Sequence, residues 1–311
     1  MKTTRISAWV AAGLVVGTAL FTACSKSDDT PSLPPIGGYN NSDEVSASNL
    51  IAYWPFEGNF NETKQNLTGT NSGATFTTGI KGQAYQGSGA SFVQFKSPGT
   101  ALAALKSYTV SVWIKEPAQP VNNTTASYVA GQGAQGILFV YDQAGNDWNL
   151  LHMNLEPYNA TSDTLRIHAG FNNTGAPEYK GIVPEGLLPG SINKWVHIAM
   201  TYDGGTSVFT LYKNGIPVEV SSAWGKSANT QVWTNGNKTT PMGNISFKTA
   251  PGGIVLGAFP QAVSPSISTA IGGPQPWSGN LQGSMDQLRI YSKALAVSDI
   301  GALYSLELAG R

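Results

Sequence analysis

Short runs of alternating apolar and polar residues recur along this chain, and they constrain its fold more than any other feature. In YTVSVWIK (108–115), Val110, Val112 and Ile114 fall on one face, and Thr109, Ser111, Trp113 and Lys115 on the other. In WVHIAMTYD (195–203), Val196, Ile198, Met200 and Tyr202 line one face. Successive side chains of a strand point to opposite sides, so each run predicts a strand with one buried face. VFTLYKNGIPVEV (208–220) holds Asn214-Gly215 between two such runs. That pair tolerates the positive φ angles of a tight hairpin turn. GIVLGAF (253–259) and GSMDQLRIYS (283–292) predict further strands, as do 51–56, 74–77, 84–86, 91–95, 127–131, 136–141, 148–153 and 164–171. Helical periodicity is clearest in AVSDIGALYSLE (296–307), where Ser298 is the expected cap and Asp299 sits in the first turn. Ile300, Leu303 and Tyr304 share a helical face there. Many short strands and little helix predict a β-sandwich.

The 18 basic and 18 acidic residues balance. No basic excess marks the chain as a nucleic-acid binder. Only 12% of residues are charged, while 41% are hydrophobic, ample for a core. Abundant Gly, Asn, Ser and Thr suit an extracellular all-β protein that meets neutral sugars.

Cys24 is the only cysteine, so it forms no internal disulfide. Lys2 and Arg5 precede the apolar run ISAWVAAGLVVGTALF, and the small residues Thr22 and Ala23 stand before Cys24. This is the three-part shape of a secretory signal. The apolar run is about 16 residues long, shorter than the ~20 of a membrane-spanning helix. A small residue just before a cysteine resembles the lipobox of bacterial lipoproteins, with Phe21 where that motif most often has Leu. The resemblance implies removal of a signal peptide, 1–23, and lipidation of Cys24, which ties the chain to the outer membrane through buried CH₂ groups. An ordinary cleaved signal or an uncleaved anchor is the alternative. SKSDD (25–29) resembles the acidic export tag of Bacteroidetes surface lipoproteins, which implies a protein facing outside the cell. Residues 24–47 are rich in Ser, Pro, Gly, Asn and Asp, and read as a flexible tether. One folded domain is expected over 48–311.

LIAYWPFEGNFNET (50–63) resembles the opening of the laminin-G-like, concanavalin A-like jelly-roll family. YTVSVWIK resembles its next hallmark strand, KWVHIAMTYDGGTSVFTLYKNGIPV (194–218) its central strand and hairpin, and GNLQGSMDQLRIYSKALAVSDIGALY (279–304) its closing strand and short helix. The resemblance implies two antiparallel sheets of about six or seven strands each, one concave, with glycan bound on the concave face or in the loops at its edge. Residues 142–192 and 221–252 are expected to be enlarged loops or added hairpins. Fold alone does not fix function, and this one hosts lectins, glycosidases, adhesins and structural domains.

A retaining glycosidase needs two carboxylates about 5–5.5 Å apart, and relatives that hydrolyse β-glucans carry Glu-x-Asp-x-x-Glu. No Glu-x-Asp or Glu-x-Glu occurs here, and Glu116, Glu156, Glu178, Glu185 and Glu219 stand alone in sequence. A pair from different strands stays open. His152, His168 and His197 lack metal-ligand spacing, and His197 is read as a packed or sheet-face residue. No G-x-S-x-G motif marks a hydrolase triad. No catalytic residue is therefore assigned. Glu57 and Asn59, after the first hallmark strand, and Asp286, in the last, are candidate ligands for a structural calcium, which takes six to eight oxygens. The alternative is that Glu57 and Asp286 bind loop backbone with no metal.

Sugar rings stack on aromatic side chains. Trp54, Trp113, Trp195 and Trp277 occupy hallmark positions and are expected to pack in the core or on a sheet. Trp224 and Trp233, in the polar stretch SSAWGKSANTQVWTNGNK (221–238), are the first candidates for a glycan site. Trp148, Tyr158 and Tyr179 follow, with Asn172 and Asn173 as partners for sugar hydroxyls. The expected function is non-catalytic carbohydrate binding at the cell surface, holding glycan near the cell, with protein partners possible in a glycan-uptake complex. The rivals are an adhesive or structural module that binds a protein partner, and a glycan-cleaving hydrolase.

Overall fold

The computed structural model describes residues 33–117, 133–145, 149–158, 163–174, 184–222, 225–234, 237–269 and 271–311. The expected strand at 127–131 and Cys24 lie outside them, as do Trp148, Tyr179 and Trp224.

Among the described residues the strands form two sheets. The first has nine strands, seven of them in the spatial order Ile216–Val218, Val208–Lys213, Val196–Asp203, Tyr108–Lys115, Ser284–Tyr291, Gln83–Gln86 and Thr75–Thr78. Leu50–Trp54 pairs with Ser284–Tyr291, and Asn229–Gln231 with Val208–Lys213. The second sheet has ten strands, nine of them in the order Gly225–Ser227, Val220–Ser222, Glu185–Leu188, Leu165–Phe171, Leu151–Glu156, Ala134–Asp142, Pro251–Leu256, Phe92–Phe95 and Thr70–Ser72. Ser278–Asn280 joins Ala134–Asp142 in one short parallel pairing, while the other pairings are antiparallel. The expected two-sheet jelly roll is the fold observed, with more strands per sheet than the six or seven the resemblance implied.

The alternation read from the sequence matches the layers. Val110, Val112 and Ile114 join Ile198, Met200, Leu138, Val140, Met153, Leu155, Leu165 and Ile167 in the core between the sheets. Each such side chain contributes about 1.5–3 kcal/mol by leaving water. The opposite face of the first sheet is covered by the helix Val297–Leu308. There Ala199, Tyr212 and Tyr291 pack against Ile300, Leu303 and Leu306. Trp113 stacks on Tyr304 at 5.5 Å between ring centroids, in keeping with its expected packing role. Asn214 (φ 51°) and Gly215 (φ 81°) form the predicted hairpin turn between Lys213 and Ile216.

A bulge in Ser284–Tyr291 shifts the phase of that strand. Gln287 takes φ 51°, and the pairing register with Tyr108–Lys115 breaks between Asp286 and Arg289. Met285, Leu288 and Ile290 thereby all reach the core, while Arg289 turns toward the helix. An inserted residue re-aims the side chains that follow it.

Two expectations need correction. Ser298 does not cap the helix: Ala296 is the N-cap residue, with no side-chain cap hydrogen bond. Within 142–192, expected as enlarged loops or added hairpins, Leu151–Glu156 and Leu165–Phe171 pair antiparallel and, with Glu185–Leu188, lie inside the second sheet. The stretch 221–252 likewise contributes Gly225–Ser227 and Asn229–Gln231. Finally, the tether expected over 24–47 gives way to folded chain from about residue 36. Ile36, Tyr39 and the fully buried Val45 pack on the helix cluster. The Tyr39 hydroxyl donates to Asp299 Oδ1 at 3.0 Å. A polar segment can dock with few apolar anchors when a buried charge receives it, and Arg289 supplies that charge. Its Nη2 donates to Ser42 Oγ at 3.3 Å, and its Nη1 lies 2.9 Å from Asp43 Oδ1. No helix among the described residues is long and apolar enough to cross a membrane.

Candidate functional site

The outer face of the second sheet carries the polar half of each alternation. In LHMNLE (151–156), Leu151, Met153 and Leu155 enter the core, which leaves His152, Asn154 and Glu156 outside. In LRIHAGF (165–171), Leu165, Ile167, Ala169 and Phe171 are core, and Arg166 and His168 face out. Register sets these side chains beside one another: Glu156 pairs with Arg166, and Asn154 with His168. Glu185 then lies across from His168, and Leu187 from Arg166.

The result is a chain of polar contacts. Asn154 Nδ2 donates to Glu156 Oε1 at 2.7 Å, and His168 Nδ1 lies 2.9 Å from the same oxygen. Arg166 Nη2 donates to Glu185 Oε2 at 2.6 Å, and Nη1 donates to the Pro157 carbonyl at 3.2 Å. Beyond them, Lys226 Nζ lies 3.7 Å from Glu219 Oε1. Tyr158, Arg166, Glu185, Leu187, Pro189, Glu219, Ser221 and Lys226 line a groove of about 600 Å³. Leu187 is 47% exposed, an apolar patch among polar groups. On the other side the face closes. Phe139 stacks on His152 at 5.8 Å and meets Phe259 at 4.5 Å, and Phe259 meets Trp277 edge-on at 5.7 Å. Burial, with a smaller push from His168, lowers the His152 pKa to about 3. His152 is thus neutral and buried on this side of the face.

The structure separates the candidates read from sequence. Tyr158 is half-buried and lines the groove. Trp233 is half-buried in an isolated bridge to Pro241 and does not line it. Asn172 and Asn173 are buried, each 3% exposed, and do not serve as surface hydroxyl partners. Asn173 Oδ1 accepts from the Ser246 N–H at 2.6 Å, and its Nδ2 donates to the Asn244 carbonyl. Asn173 thereby holds 244–246 in place, satisfying backbone polar groups of a segment outside the strands.

The candidate calcium ligands brace a turn. Asp286 Oδ2 accepts from the Ile80 and Lys81 N–H groups at 2.9 and 3.1 Å, and Oδ1 accepts from the Gln287 N–H at 2.8 Å. Glu57 Oε2 accepts from the Gln83 N–H at 3.0 Å. Asn59 Oδ1 accepts from the Asn61 N–H. These oxygens face N–H donors, whose positive ends repel a cation, so the set does not fit calcium. Among the described residues no group of three His, Cys, Asp or Glu side chains is placed to hold a metal. Burial pushes the Asp286 pKa up to about 7, against the pull of its N–H donors. Gly79 and Gly82 make the approach possible: a Cβ on either would stand 2.4 Å from Asp286 Oδ2 or 2.1 Å from Glu57 Oε1.

Arg166, Glu185, Leu187, Ser221 and Lys226 are not among the sequence candidates. The available signal was the polar partner residues of otherwise core-forming strands, but which of them meet depends on register between strands distant in sequence.

Solved structures of low identity align with this chain. The fourth domain of AbnA, a GH43 extracellular arabinanase from Geobacillus stearothermophilus, in complex with arabinotriose, is 19% identical. It aligns over 82% of this chain and 98% of its own, with a TM-score of 0.48. The structure bearing on cell entry of botulinum neurotoxin type C, described as dependent upon interaction with two ganglioside molecules, is 11% identical, with a TM-score of 0.51. The botulinum neurotoxin serotype G binding domain is 13% identical, with a TM-score of 0.50. The alignments span 85% and 83% of this chain, but only about half of each neurotoxin chain, 52% and 51%. No curated sequence matches the chain. A laminin-G-type family model, described as the concanavalin A-like lectin/glucanases superfamily, matches residues 87–250, more than half of the sequence. The chain belongs to the concanavalin A-like lectin/glucanases superfamily.

Proposed function

We propose that this chain binds carbohydrate without cleaving it. The observation that carries the reading is the groove on the outer face of the second sheet. Tyr158 and Leu187 offer apolar surface for the C–H face of a sugar ring, and Arg166, Glu185 and Ser221 offer hydrogen-bonding partners for its hydroxyls. Apolar walls with a few convergent polar groups are the usual form of a small-ligand site. The family description, which pairs lectins with glucanases, agrees with a sugar ligand. Isothermal titration of soluble oligosaccharides into the protein tests the reading. Saturable heat is expected for at least one, reduced about tenfold or more in affinity by Tyr158→Ala, the size of a lost stacking contact.

One observation favours a glucanase instead. Glu156 and Glu185 stand on the same face, on the two strands that flank Leu165–Phe171. Each is already taken by a basic side chain, His168 or Arg166. Incubation with the bound glycan is expected to release no new reducing ends. Release abolished by Glu156→Gln or Glu185→Gln would replace the lectin reading with hydrolysis.

The reading extends to the cell surface through the sequence: a lipid on Cys24, an outer-membrane location facing outward, and a role in holding glycan near the cell, with partners in an uptake complex. The lipobox-like segment and the acidic SKSDD stretch support it.

A further inference from the structure

We infer that the groove selects neutral glycans and rejects acidic ones, an inference that rests on the carbohydrate-binding reading above. Its ionic side chains come in opposed pairs. Arg166 holds Glu185 at 2.6 Å, and Lys226 stands 3.7 Å from Glu219. Two cations thus face two carboxylates, and Glu156 beside them adds a further negative charge, with His168 as its partner. Each cation of the lining already has an anion. A uronate, sialate or sulfate would have to take Arg166 from Glu185 and leave that carboxylate facing a second negative charge. Like charges brought into one partly buried site repel, and an unpaired ion there is costly. A neutral sugar asks for no such exchange. One hydroxyl can donate to Glu185 while its neighbour accepts from Arg166, and the ion pair stays intact. The geometry matches adjacent hydroxyls, since two hydrogen-bonding groups of opposite polarity stand side by side.

The pair also gives a way to reverse the preference. Glu185→Gln removes the carboxylate and keeps an amide of the same shape. Both side chains are about a third exposed, 30% and 36%, so the fold is expected to survive. In that variant the groove loses one negative charge beside Arg166, so an anionic ligand meets less repulsion there.

The test is affinity electrophoresis of the full chain in detergent, in gels containing arabinan, xylan or mannan as neutral probes and polygalacturonate or alginate as acidic ones. The wild type is expected to be retarded by at least one neutral probe and by neither acidic one. Raising the salt from about 0.05 M to about 0.5 M, which shortens the screening length several-fold, should leave neutral binding within about twofold. Glu185→Gln is expected to gain retardation by polygalacturonate or alginate of about tenfold or more, lost again at high salt, in line with one charge-assisted hydrogen bond. Salt-sensitive retardation of the wild type by an acidic probe overturns the selectivity while leaving carbohydrate binding standing. A Glu185→Gln variant that binds neutral probes and gains nothing for acidic ones also overturns it. Wild type retarded by no probe of either class overturns the carbohydrate reading, and the inference with it.

Discussion

Arg289 joins three parts of the chain, and its replacement by methionine gives the sharpest test of how the fold is held. Arg289 and Glu307 have no exposed side-chain surface, and Arg289 Nε donates to Glu307 Oε1 at 2.9 Å. Glu307 Oε2 accepts from Trp113 Nε1 at 2.7 Å. Arg289 also lies 3.8 Å over the Tyr53 ring and reaches Ser42, Gln287 and Asp43. Methionine fills most of the arginine stem, so the main loss is the ion pair. Breaking a buried pair from one side costs about 3–5 kcal/mol, because the other charge stays buried. The Asp43 contact is 60% exposed on the acid's side, and such pairs are worth about 0–1 kcal/mol. Adding Glu307→Gln removes the stranded charge while keeping an oxygen for Trp113. The double variant is therefore expected to recover about 2 kcal/mol of the loss. Urea unfolding reads both values, provided the slope m is unchanged. A proton offers a second check. Burial raises the Glu307 pKa above the ordinary carboxylate range, and losing Arg289 raises it further. The folded variant then holds a proton that the unfolded chain gives up. Its deficit against wild type is smallest in acid, where both proteins hold that proton, and grows as pH rises through the raised wild-type Glu307 pKa. A single-variant loss below about 1 kcal/mol, or a double variant as unstable as the single, would refute the argument.

Other predictions follow the same logic. Burial, with a lesser effect of Arg289, holds the His197 pKa down to about 3. The unfolded chain protonates that ring near 6.5 and the folded chain does not, so stability falls as pH drops from about 6.5 toward 3. At about 1.4 kcal/mol per pH unit this caps the effect at about 5 kcal/mol. His197→Gln, which keeps a partner for Ser111 Oγ, 2.8 Å from His197 Nε2, should make that acid limb shallower in a pH series of urea melts, leaving the share of His152. Asp286→Ala leaves the Ile80, Lys81 and Gln287 N–H groups without their acceptor and should cost about 2–4 kcal/mol. Calcium at millimolar excess should leave the wild-type Tm unchanged, whereas a specific site would raise it by mass action. Cys24→Ala should abolish labelling by radioactive palmitate and release the protein from the membrane fraction. Label retained in that variant would disprove lipidation at Cys24.

What the sequence shows follows the range of the physics involved. Local alternation reports which face of a strand is buried, so Val110, Val112, Ile114 and their counterparts could be assigned to the core without coordinates. The Asn214-Gly215 turn was equally legible, because two residues suffice to specify it. The site is not local. Glu156, Arg166 and Glu185 meet only through the register of three strands whose connections differ in length, and no spacing in the sequence encodes that meeting. The docking of residues 36–47 was hidden for a similar reason. Their composition is that of a tether, and the group that receives them, Arg289, stands more than 240 positions away in sequence. Asp286 was open in another way: a carboxylate suits a cation or a set of backbone N–H groups, and the N–H donors of Ile80 and Lys81 come from a loop about 205 positions away.

The central claim is that the groove around Tyr158 and Arg166 binds sugar. The measurement that tests it most directly is retardation of the full chain in detergent through gels of neutral polysaccharide, for wild type, Tyr158→Ala and Trp233→Ala. Retardation by at least one glycan, lost in Tyr158→Ala and kept in Trp233→Ala, is the predicted result. Retardation by none, or a loss confined to Trp233→Ala, would contradict it.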